Sequence, residues 1–530
     1  MRYILTPEQM RDADAYAMHT LKIPPSILME NAARATFDYM YGLAQRHKNH
    51  YGYNQHIILV LCGSGNNGGD GFAVARHFSH YAPVHVIWVG AVEKMSDETR
   101  LNFELLQTHH IPTLHCATAD TLYTQDIQRL FSEATCVLDA LIGNSGTEHV
   151  RSPVLDILRL VKATKRPQRL DIALDIPTGL HAGTGIAHPD CFRADATITI
   201  AAWKTGLVLN DAPDIIGQCT CVSIGIPEAQ IRERAQVRII ERHDVEHLLP
   251  TRPRRSTKHD YGSVTIIGGT STMTGAPALA AHAAIAAGAG LVHLYAPRIH
   301  PMTPPEVILH PLPHNTHGSI ARKALPLLSE ALHHSSVIVI GPGLGTHEET
   351  LALIRDYIHL IPPDISLVLD ADALRALRMP DNNSYSTVHT HTVITPHQGE
   401  FARLTNTPYE TIPEHAHTLA REWAARLGCT IVLKSVPTII SNGQQSYWNT
   451  SGNAGMASAG SGDVLAGIIA SMLAQRHIHH HDFLTAVALA VYCHGCAGNK
   501  AAQVRGQLGV TATSIIAHLP DVFPQYHDAL

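Results

Sequence analysis

Short apolar segments rich in Val and Ile alternate along this chain with glycine turns and alanine-rich amphipathic stretches. This alternation is typical of repeated βα units, because parallel strands are covered on both faces and read as nearly continuous apolar runs. We therefore expect an α/β protein with doubly wound parallel sheets. The predicted strands are 57–61, 84–89, 136–141, 172–174, 197–201, 264–267, 290–294, 337–340, 367–369, 391–394 and 430–433.

A domain boundary is predicted near the middle of the chain. The 530 residues exceed what one hydrophobic core normally accommodates. A charge-rich stretch follows residues 223–227 (Ser-Ile-Gly-Ile-Pro), and the glycine loops that open the two halves do not align residue by residue. We therefore predict two different domains, at 1–228 and 251–530, joined by a linker at 229–250.

Composition narrows the class of protein. The net charge of −6 provides no basic field to attract nucleic acid or an anionic membrane. The sequence has no run of about twenty apolar residues, and its opening lacks a signal-type apolar stretch. Nine cysteines are too sparse here for a disulfide scaffold. We expect a cytoplasmic protein that binds neither nucleic acid nor membranes.

Histidine is unusually frequent, at 38 residues. The tract at 477–481 looks like a metal site, and residues 493–496 (Cys-His-Gly-Cys) look like a redox or metal pair. Neither segment has a second group of ligands at zinc-site spacing. We interpret the first as a polar loop and the second as part of the core.

A glycine-rich loop follows the predicted strand at 57–61. Residues 62–71 contain five glycines, two asparagines and an aspartate, and a helix is predicted from Phe72. Glycine permits positive φ angles and lets a ligand approach the backbone. The amide and carboxylate groups suit a ribose, a phosphate or a cation. The alternative is a plain structural turn.

Two further strand ends in the first half carry oxygen donors. Asp139 ends one predicted strand, and Asp175 and Thr178 follow another. Carboxylate and hydroxyl oxygens at one edge of a sheet suit a hard cation. Asp175 precedes a rigid Ile-Pro turn, where it could act as an acid or base. Aspartate and proline also occur in turns without function, so that interpretation remains open.

The segments 65–71, 139–141 and 175–179 together resemble the NAD(P)HX epimerase domain family, and residues 27–32 resemble its entry helix. The resemblance implies a Rossmann-like fold, with Asp175 acting at the reactive ring of a hydrated nicotinamide nucleotide. It also implies a potassium ion bound by Asn67, Asp139 and Thr178, where threonine replaces the more usual serine. The implied substrate contacts are Asn66, Asn67, Gly68, Gly69, Asp70, Gly143, Asn144, Ser145, Gly146, Thr147, Glu148, His149 and Asp175. The loop at 143–146 departs from the tighter Gly-Thr-Gly of the family.

Polar residues also end the predicted strands of the second half. Asp370 and Asp372 suit magnesium or ordered water, His397 suits a hydrogen bond to a polar ring, and Lys434 suits a nucleotide phosphate. In a parallel sheet these strand ends lie at one edge and can form one cleft. Taken singly, His397 could instead satisfy a loop carbonyl, and Lys434 could be a solvated strand end.

Residues 460–463 (Gly-Ser-Gly-Asp) lead directly into an apolar helical run. A glycine turn at a helix start presents free N–H groups to an anion. Asp463 is well placed there to take a proton from a hydroxyl beside a bound phosphate, which indicates phosphoryl transfer to a small alcohol. The alternative is that Asp463 only caps the helix.

The motifs of residues 258–498, in their order, resemble the ribokinase-like NAD(P)H-hydrate dehydratases. They are Gly-Pro-Gly-x-Gly, Asp-x-Asp-x-Leu, Thr-Pro-His-x-Gly-Glu and Ala-Gly-Ser-Gly-Asp. The resemblance implies a ribokinase-like fold with Asp463 at the reacting hydroxyl. Ala276, Gly343, His397 and Asp463 would contact the substrate. Lys434, Ser435, Val436, Pro437, Thr438 and Gly462 would contact the nucleotide, although the family commonly has glycine at position 435.

The two resemblances cover nearly the whole chain and correspond to the bifunctional NAD(P)H-hydrate repair enzymes. They imply hydrated NADH and NADPH as substrates, ADP or ATP as phosphoryl donor, magnesium, potassium and a homo-oligomer. Two alternatives remain: a conventional small-molecule kinase in the second half, and a non-catalytic ligand-binding module in the first. Retention of Asp70, Asp139 and Asp175 argues against a non-catalytic module.

Overall fold

The computed structural model describes residues 1–144, 150–249, 252–378, 385 and 388–523, without the side chain of His479. The chain divides into two compact units. One is Tyr3–Gln236, and the other is Val237–Leu530 together with Met1–Arg2. Both are α/β with largely parallel sheets, which confirms the predicted fold class.

The N-terminal unit is built around a parallel sheet. Its strands are β1 (Arg2–Leu5), β2 (Ile58–Cys62), β3 (Val84–Trp88), β4 (Thr113–His115), β5 (Cys136–Ala140), β6 (Leu170–Leu174), β7 (Ala196–Ile200), β8 (Trp203–Lys204) and β9 (Gln218–Val222). Seven of them form the sheet in the order β4-β3-β2-β5-β6-β7-β9, and β1 pairs in parallel with β8. The helices are α1 (Pro7–His19), α2 (Pro25–Tyr51), α3 (Asn66–Phe78), α4 (Asp97–Thr108), α5 (Gln125–Glu133), α6 (Val154–Ala163) and α7 (Glu228–Arg234).

The continuous apolar runs reflect burial on both faces of this sheet. Successive side chains of a strand point to opposite faces. In β2, Val60 packs into one apolar cluster, whereas Leu59 and Leu61 pack into the other. Both faces must therefore be apolar, and the parallel pairing leaves the carboxyl ends of the strands at a common edge.

The C-terminal unit has a larger, mixed sheet. Its strands are β10 (Val237–Ile239), β11 (Ser263–Ile267), β12 (Leu291–Ala296), β13 (Ile308–Pro311), β14 (Val337–Ile340), β15 (Ser366–Leu369), β16 (Thr392–Ile394), β17 (Thr430–Leu433), β18 (Thr438–Ser441) and β19 (Ser446–Asn449). The order is β13-β12-β11-β14-β15-β16-β17-β18-β19-β10. The helices are α8 (Arg242–Leu248), α9 (Gly275–Ala286), α10 (Leu325–Ala331), α11 (Glu348–Ile358), α12 (Gln398–Thr405), α13 (Ile412–Leu427), α14 (Ser461–His479), α15 (Phe483–Arg505) and α16 (Ala512–His518).

Each predicted strand is confirmed, with its ends shifted by at most two residues. The prediction of wholly parallel sheets was wrong at one place, because β17, β18 and β19 pair antiparallel. These strands are joined by short turns, and a parallel connection would need a longer crossover. The stretch 229–250, predicted as a linker, contains strand β10 and helix α8. No helix in the described part of the chain is long and apolar enough to span a membrane.

Candidate active sites

The glycine-rich loop of the N-terminal unit is shorter than predicted, because α3 begins at Asn66 and not at Phe72. A Cβ added at Gly68 would lie 1.9 Å from the carbonyl oxygen of Gly63, and one at Gly71 would lie 2.6 Å from Cβ of Ala140. None of the five glycines of residues 62–71 uses the positive φ angles that glycine permits. Gly68 and Gly71 instead let α3 approach the backbone after β2 and the side chains of β5.

A cavity of about 870 Å³ lies at the carboxyl ends of these strands. Among the predicted substrate contacts, those that line it are Asn66, Asn67, Asp70, Gly143, Asn144 and Asp175. Gly68 and Gly69 do not line it and are buried in the packing of α3. Residues 145–149, also predicted as substrate contacts, lie outside the described residues. The cavity is also lined by Asp14 and Lys204, which the sequence interpretation missed.

Asp175 and Lys204 form an ion pair inside this cavity. The Oδ1 atom of Asp175 accepts hydrogen bonds from Lys204 Nζ, from the backbone N–H of Ile200 at 3.1 Å and from the Thr199 hydroxyl at 3.2 Å. Lys204 Nζ also donates to the Ile200 carbonyl at 2.7 Å. Lys204 is 1% exposed and Asp175 7%. Asp175 has a left-handed backbone, with φ of +64°. The carboxylate is therefore fixed in position and its charge is offset.

Two further carboxyl groups share the electrostatic environment of this pair. Burial raises the pKa of Asp14 to about 6, an effect opposed by Lys204 and reinforced by Asp175. Burial raises the pKa of Asp70 well above its usual value, with further contributions from Asp175 and Asp14. The raised pKa values favour the protonated forms of Asp14 and Asp70, beside the ion-paired Asp175. Neighbouring acids whose pKa values are raised by burial suit proton transfer.

Two of the three predicted potassium ligands, Asp139 and Thr178, are hydrogen-bonded to each other. Asp139 accepts from the Thr178 hydroxyl and backbone N–H, both at 2.7 Å, and is fully buried. The side-chain oxygens of Asn67 and Asn144 are buried and have no hydrogen-bond partner among the described residues. A Cβ added at Gly143 would lie 3.0 Å from Asn67 Cβ, which brings this loop against the asparagine. Buried carbonyl oxygens beside a carboxylate are a donor set that fits a hard cation.

In the C-terminal unit, a glycine turn after β14 approaches the start of α9. Gly343 has φ of +62°, and a Cβ there would lie 3.3 Å from Cβ of Ala276. A Cβ at Gly341 would lie 1.8 Å from the carbonyl oxygen of Asp370. Gly345 donates its backbone N–H to Asp372 Oδ2 at 3.0 Å. The predicted substrate contacts Gly343 and Ala276 are thus neighbours, beside the loop that carries the aspartates.

Lys434 is surrounded by carboxylates at the same edge of the sheet. Its Nζ lies 3.2 Å from Asp370 Oδ1 and 3.9 Å from Glu400 Oε2. Burial lowers the pKa of Lys434, but Asp370, Glu400 and Asp463 together outweigh that effect and raise it. Asp370 is 2% exposed and accepts a hydrogen bond of 2.6 Å from Thr395. The lysine is therefore a fixed positive charge.

His397 caps α12. Its Nδ1 accepts from the N–H groups of Gly399 at 3.0 Å and Glu400 at 3.3 Å, and its Nε2 lies 3.3 Å from Glu400 Oε1. The backbone N–H of Lys434 donates to the Pro396 carbonyl at 2.9 Å. The cap thus places His397 beside the lysine, and contact of His397 with substrate stays a prediction.

Asp463 lies in the first turn of α14, after Gly460 with φ of +89°. Burial, followed by the charge of Asp370, raises the pKa of Asp463 to about 7, and Lys434 opposes the shift. A Cβ added at Gly462 would lie 3.4 Å from Lys434 Nζ. The structure thus brings Gly462, Asp463 and Lys434 together, as the sequence predicted from separate motifs.

The remaining predicted nucleotide contacts form the turn from β17 to β18. The Ser435 hydroxyl donates to the Pro437 carbonyl at 2.6 Å, and Thr438 Oγ1 donates to the Ser435 carbonyl at 3.2 Å. Val436 is 90% exposed. The turn directly follows Lys434, so an extended ligand held by the lysine can reach it.

Two sequence families match the chain. The family described as YjeF-related protein N-terminus matches residues 25–206, and the one described as NAD(P)H-hydrate dehydratase matches residues 264–521. The bifunctional NAD(P)H-hydrate repair enzyme of Moorella thermoacetica is 34% identical over 98% of this chain and 96% of its own length. That of Salinibacter ruber is 32% identical over the same shares.

A solved structure, the ADP/ATP-dependent NAD(P)H-hydrate dehydratase of Bacillus subtilis, is 28% identical, with a TM-score of 0.45. It covers 54% of this chain and 96% of its own. The two relatives match nearly the full length of this chain, and the two family models match its N-terminal and C-terminal units, respectively. This chain belongs to the family of bifunctional NAD(P)H-hydrate repair enzymes.

Proposed function

We propose that domain 1–228 interconverts the two epimers of hydrated NADH and NADPH, and that domain 251–530 dehydrates one epimer with ADP or ATP. The observation that carries the proposal is the geometry around Asp463. A carboxyl group with a pKa near 7 lies in the first turn of a helix, beside a lysine fixed by two carboxylates. That combination supplies a proton acceptor and two sources of positive charge for a phosphate.

The dehydratase reaction begins with proton transfer. Asp463 takes the proton of the hydroxyl on the ring carbon next to nitrogen, while the terminal phosphoryl group moves from the nucleotide to the hydroxyl oxygen. The N–H groups of Gly462 and Asp463, which precede the first helical hydrogen bond of α14, and the ammonium group of Lys434 stabilise the negative charge that develops on the phosphoryl oxygens. The ring nitrogen then expels phosphate, and loss of a proton from the adjacent carbon restores the dihydronicotinamide.

Magnesium is expected to enter the site with the nucleotide. This cation is usually held by substrate phosphates and one or two protein carboxylates. Asp370 and Asp372 lie close enough to Asp463 to raise its pKa, and they are the carboxylates that would hold the cation. When bound, magnesium would neutralise phosphate charge. His397, Ala276 and Gly343 are the groups that would orient the nicotinamide ring.

The epimerase reaction uses the buried group of acids in the N-terminal unit. Asp175 exchanges the proton of the ring hydroxyl while the ring nitrogen assists departure and return of oxygen at that carbon. Lys204 keeps Asp175 oriented through their ion pair. Asp70, whose pKa is raised by burial, lines the same cavity and would contact the substrate. A stereospecific dehydratase uses one epimer only, which explains why both activities occur in one chain.

Potassium fits the group formed by Asn67, Asp139 and Thr178. The support is the buried Asn67 oxygen without a partner among the described residues, together with the buried pair of Asp139 and Thr178. When bound, the cation would offset the charge of Asp139 and order the two loops that flank the cavity.

Composition further favours a cytoplasmic protein. The alanine-rich helix faces favour a homo-oligomer, which light scattering of the purified chain would test.

The deciding experiment follows the near-ultraviolet absorbance of dihydronicotinamide. The protein acts on mixed-epimer hydrated NADH with magnesium and potassium, and with ADP or ATP in separate cuvettes. Rapid, complete recovery supports both activities and identifies the donor. Partial recovery followed by a slow spontaneous phase contradicts the epimerase assignment alone. No recovery with either nucleotide contradicts the dehydratase assignment and favours a conventional kinase.

A further inference from the structure

Residues 493–496 (Cys-His-Gly-Cys) have no role in the proposed chemistry, yet one of them contacts the anion-binding turn. They lie within α15. Nε2 of His494 lies 3.3 Å from the hydroxyl oxygen of Ser461, the first residue of α14. His494 is 8% exposed and Ser461 9%, so solvent competes little with this contact. A side chain of α15 is therefore linked directly to the turn that carries Asp463.

Ser461 lies in the turn, directly before the free N–H groups at the start of α14. The first helical hydrogen bond of α14 runs from Val464 N–H to the Gly460 carbonyl, at 3.0 Å. The N–H groups of Gly462 and Asp463 precede that bond and are available to a phosphate. Their direction follows from the backbone angles at Ser461, which lies between Gly460 in the left-handed region and the helix.

The charge state of His494 suits an indirect role. Burial lowers its pKa to about 4, and the nearby charge of Lys434 also lowers it, although a backbone hydrogen bond at Ser461 raises it. The imidazole is thus neutral at physiological pH, and a neutral ring has one nitrogen that accepts a hydrogen bond. The neutral His494 ring can accept a hydrogen bond from the Ser461 hydroxyl without adding a second cation that would compete with Lys434 for phosphate.

We propose that His494 is a positioning residue of the dehydratase. Its hydrogen bond with Ser461 holds the first turn of α14 in the conformation that directs the N–H groups of Gly462 and Asp463 towards the nucleotide phosphate. This inference rests on the proposed function of the C-terminal unit. It assigns a function to the histidine of the segment 493–496, and this function requires no metal at that segment.

The test compares two replacements of the histidine. His494→Leu removes the acceptor, whereas His494→Gln keeps an amide oxygen near the former position of Nε2. Loss of one neutral hydrogen bond corresponds to a roughly fivefold to tenfold rise in the nucleotide KM. We expect that rise in His494→Leu, its partial reversal in His494→Gln, and an unchanged KM for the hydrated dinucleotide. Calorimetric titration with ADP and ATP should show the same loss in affinity without any need for turnover.

A double-mutant cycle tests whether the rise in nucleotide KM comes from the contact between His494 and Ser461. Ser461→Ala should raise the nucleotide KM as much as His494→Leu, and the double variant should be no worse, because all three lack the same hydrogen bond. Additive effects would overturn the proposal. Complete loss of turnover in Ser461→Ala would also overturn it, because the hydroxyl would then be a reacting group.

Cys493→Ala is the matched control for packing. Cys493 is the preceding residue of α15 and is fully buried. Its truncation should lower the thermal unfolding temperature and leave nucleotide affinity unchanged. If Cys493→Ala lost as much nucleotide affinity as His494→Leu, the effect of His494 would be one of packing only. Failure of the proposed function would give a different result from failure of this inference. The unmutated chain would then show no nucleotide-dependent recovery of dihydronicotinamide, while the calorimetric comparison of the variants would still be measurable.

Discussion

Lys204 and Asp175 form a buried ion pair that joins the end of β8 to the residue following β6. The charge of Lys204 also lowers the pKa values of Asp14 and Asp70, so this one lysine acts on three carboxyl groups. Burial of so many carboxyl groups destabilises the folded state unless some remain protonated. An arrangement of this kind is typical of proton-transfer sites and is costly as a purely structural feature.

Asp175→Asn should abolish epimerisation and spare dehydration, since the amide keeps the shape but cannot exchange the proton. We expect a loss on the order of 10²–10⁴-fold in epimerisation rate. The measurement is the second phase of absorbance recovery from mixed epimers. Asp190→Asn serves as the control, because Asp190 pairs with Arg159 and Lys162 outside the cavity. Equal fast use of both epimers by Asp175→Asn would refute the assignment.

Lys204→Met should destabilise the N-terminal unit by about 3–5 kcal/mol, because it leaves the buried Asp175 carboxylate without its partner. Urea unfolding would measure this change. The double variant Asp175→Asn/Lys204→Met should regain much of the lost stability while staying inactive as an epimerase. If Lys204→Met unfolds at the same urea concentration as the parent chain, the ion pair contributes nothing to stability.

The pH dependence of the dehydratase should follow Asp463. Its pKa lies near 7, above the ordinary 3.8, and only the ionised carboxylate accepts a proton. We therefore expect kcat/KM to rise with pH up to about pH 7 and to level off above it, since this parameter reports groups of the free enzyme. A profile flat from pH 5 to 8 would exclude Asp463 as the base.

The same shift predicts how Asp463→Asn changes stability. A carboxyl whose pKa is raised on folding destabilises the native state above the folded pKa, and the effect disappears below the unfolded value. Asp463→Asn should therefore unfold at a higher temperature than the parent chain at pH 8, and the difference should shrink below pH 4. Calorimetric scans at both pH values would show it. Lower stability of the variant at pH 8 would contradict the assigned burial.

Potassium should stabilise the N-terminal unit through Asn67 and Asp139. A ligand at 100 times its Kd adds about 2.7 kcal/mol to the free energy of unfolding. Thermal unfolding in potassium chloride, compared with choline chloride at equal ionic strength, measures the effect. It should vanish in Asn67→Ala but persist in Asn210→Ala, whose side chain bonds the Thr184 carbonyl instead. Burial raises the pKa of Asp139 to about 6, so the response should weaken below pH 6 as that carboxyl becomes neutral.

Gly68→Ala should disrupt the start of α3. The new Cβ would lie 1.9 Å from the Gly63 carbonyl oxygen, so helix and strand must separate. We expect a loss of about 1–3 kcal/mol in unfolding free energy, as for overpacked sites. Gly65→Ala is the matched control, because its Cβ would meet no heavy atom within 4 Å and its φ is −89°. Similar stability of the two variants would contradict the close approach of α3.

Part of the site could be predicted because parallel strands gather their carboxyl ends at one edge. Asp139 and Thr178 were assigned to one cation site from their motifs alone, and the structure shows them hydrogen-bonded. The convergence of Lys434 with Gly462 and Asp463 is a second example. Each of these residues lies in or beside a sequence motif at a strand end or helix start, so local pattern was sufficient.

Other residues of the site were not predicted from the sequence. Asp14 lies in the helix α1 and reaches the cavity only through the folding of the whole unit. Lys204 occurs three residues after the predicted strand 197–201, where the rule about strand ends could have identified it. His494 was recognised only as part of a cysteine motif, and its contact with Ser461 spans 33 positions of sequence.

The sequence by itself determined the order of strands and helices, the two-domain plan and the family. These follow from apolar periodicity and from motifs that are contiguous in the chain. The tertiary structure decided which side chains share a hydrogen bond, why the glycines before and within α3 are needed, and which acids have a raised pKa. Those properties depend on distances between residues remote in sequence and on burial from water, because electrostatic interactions and desolvation act through space.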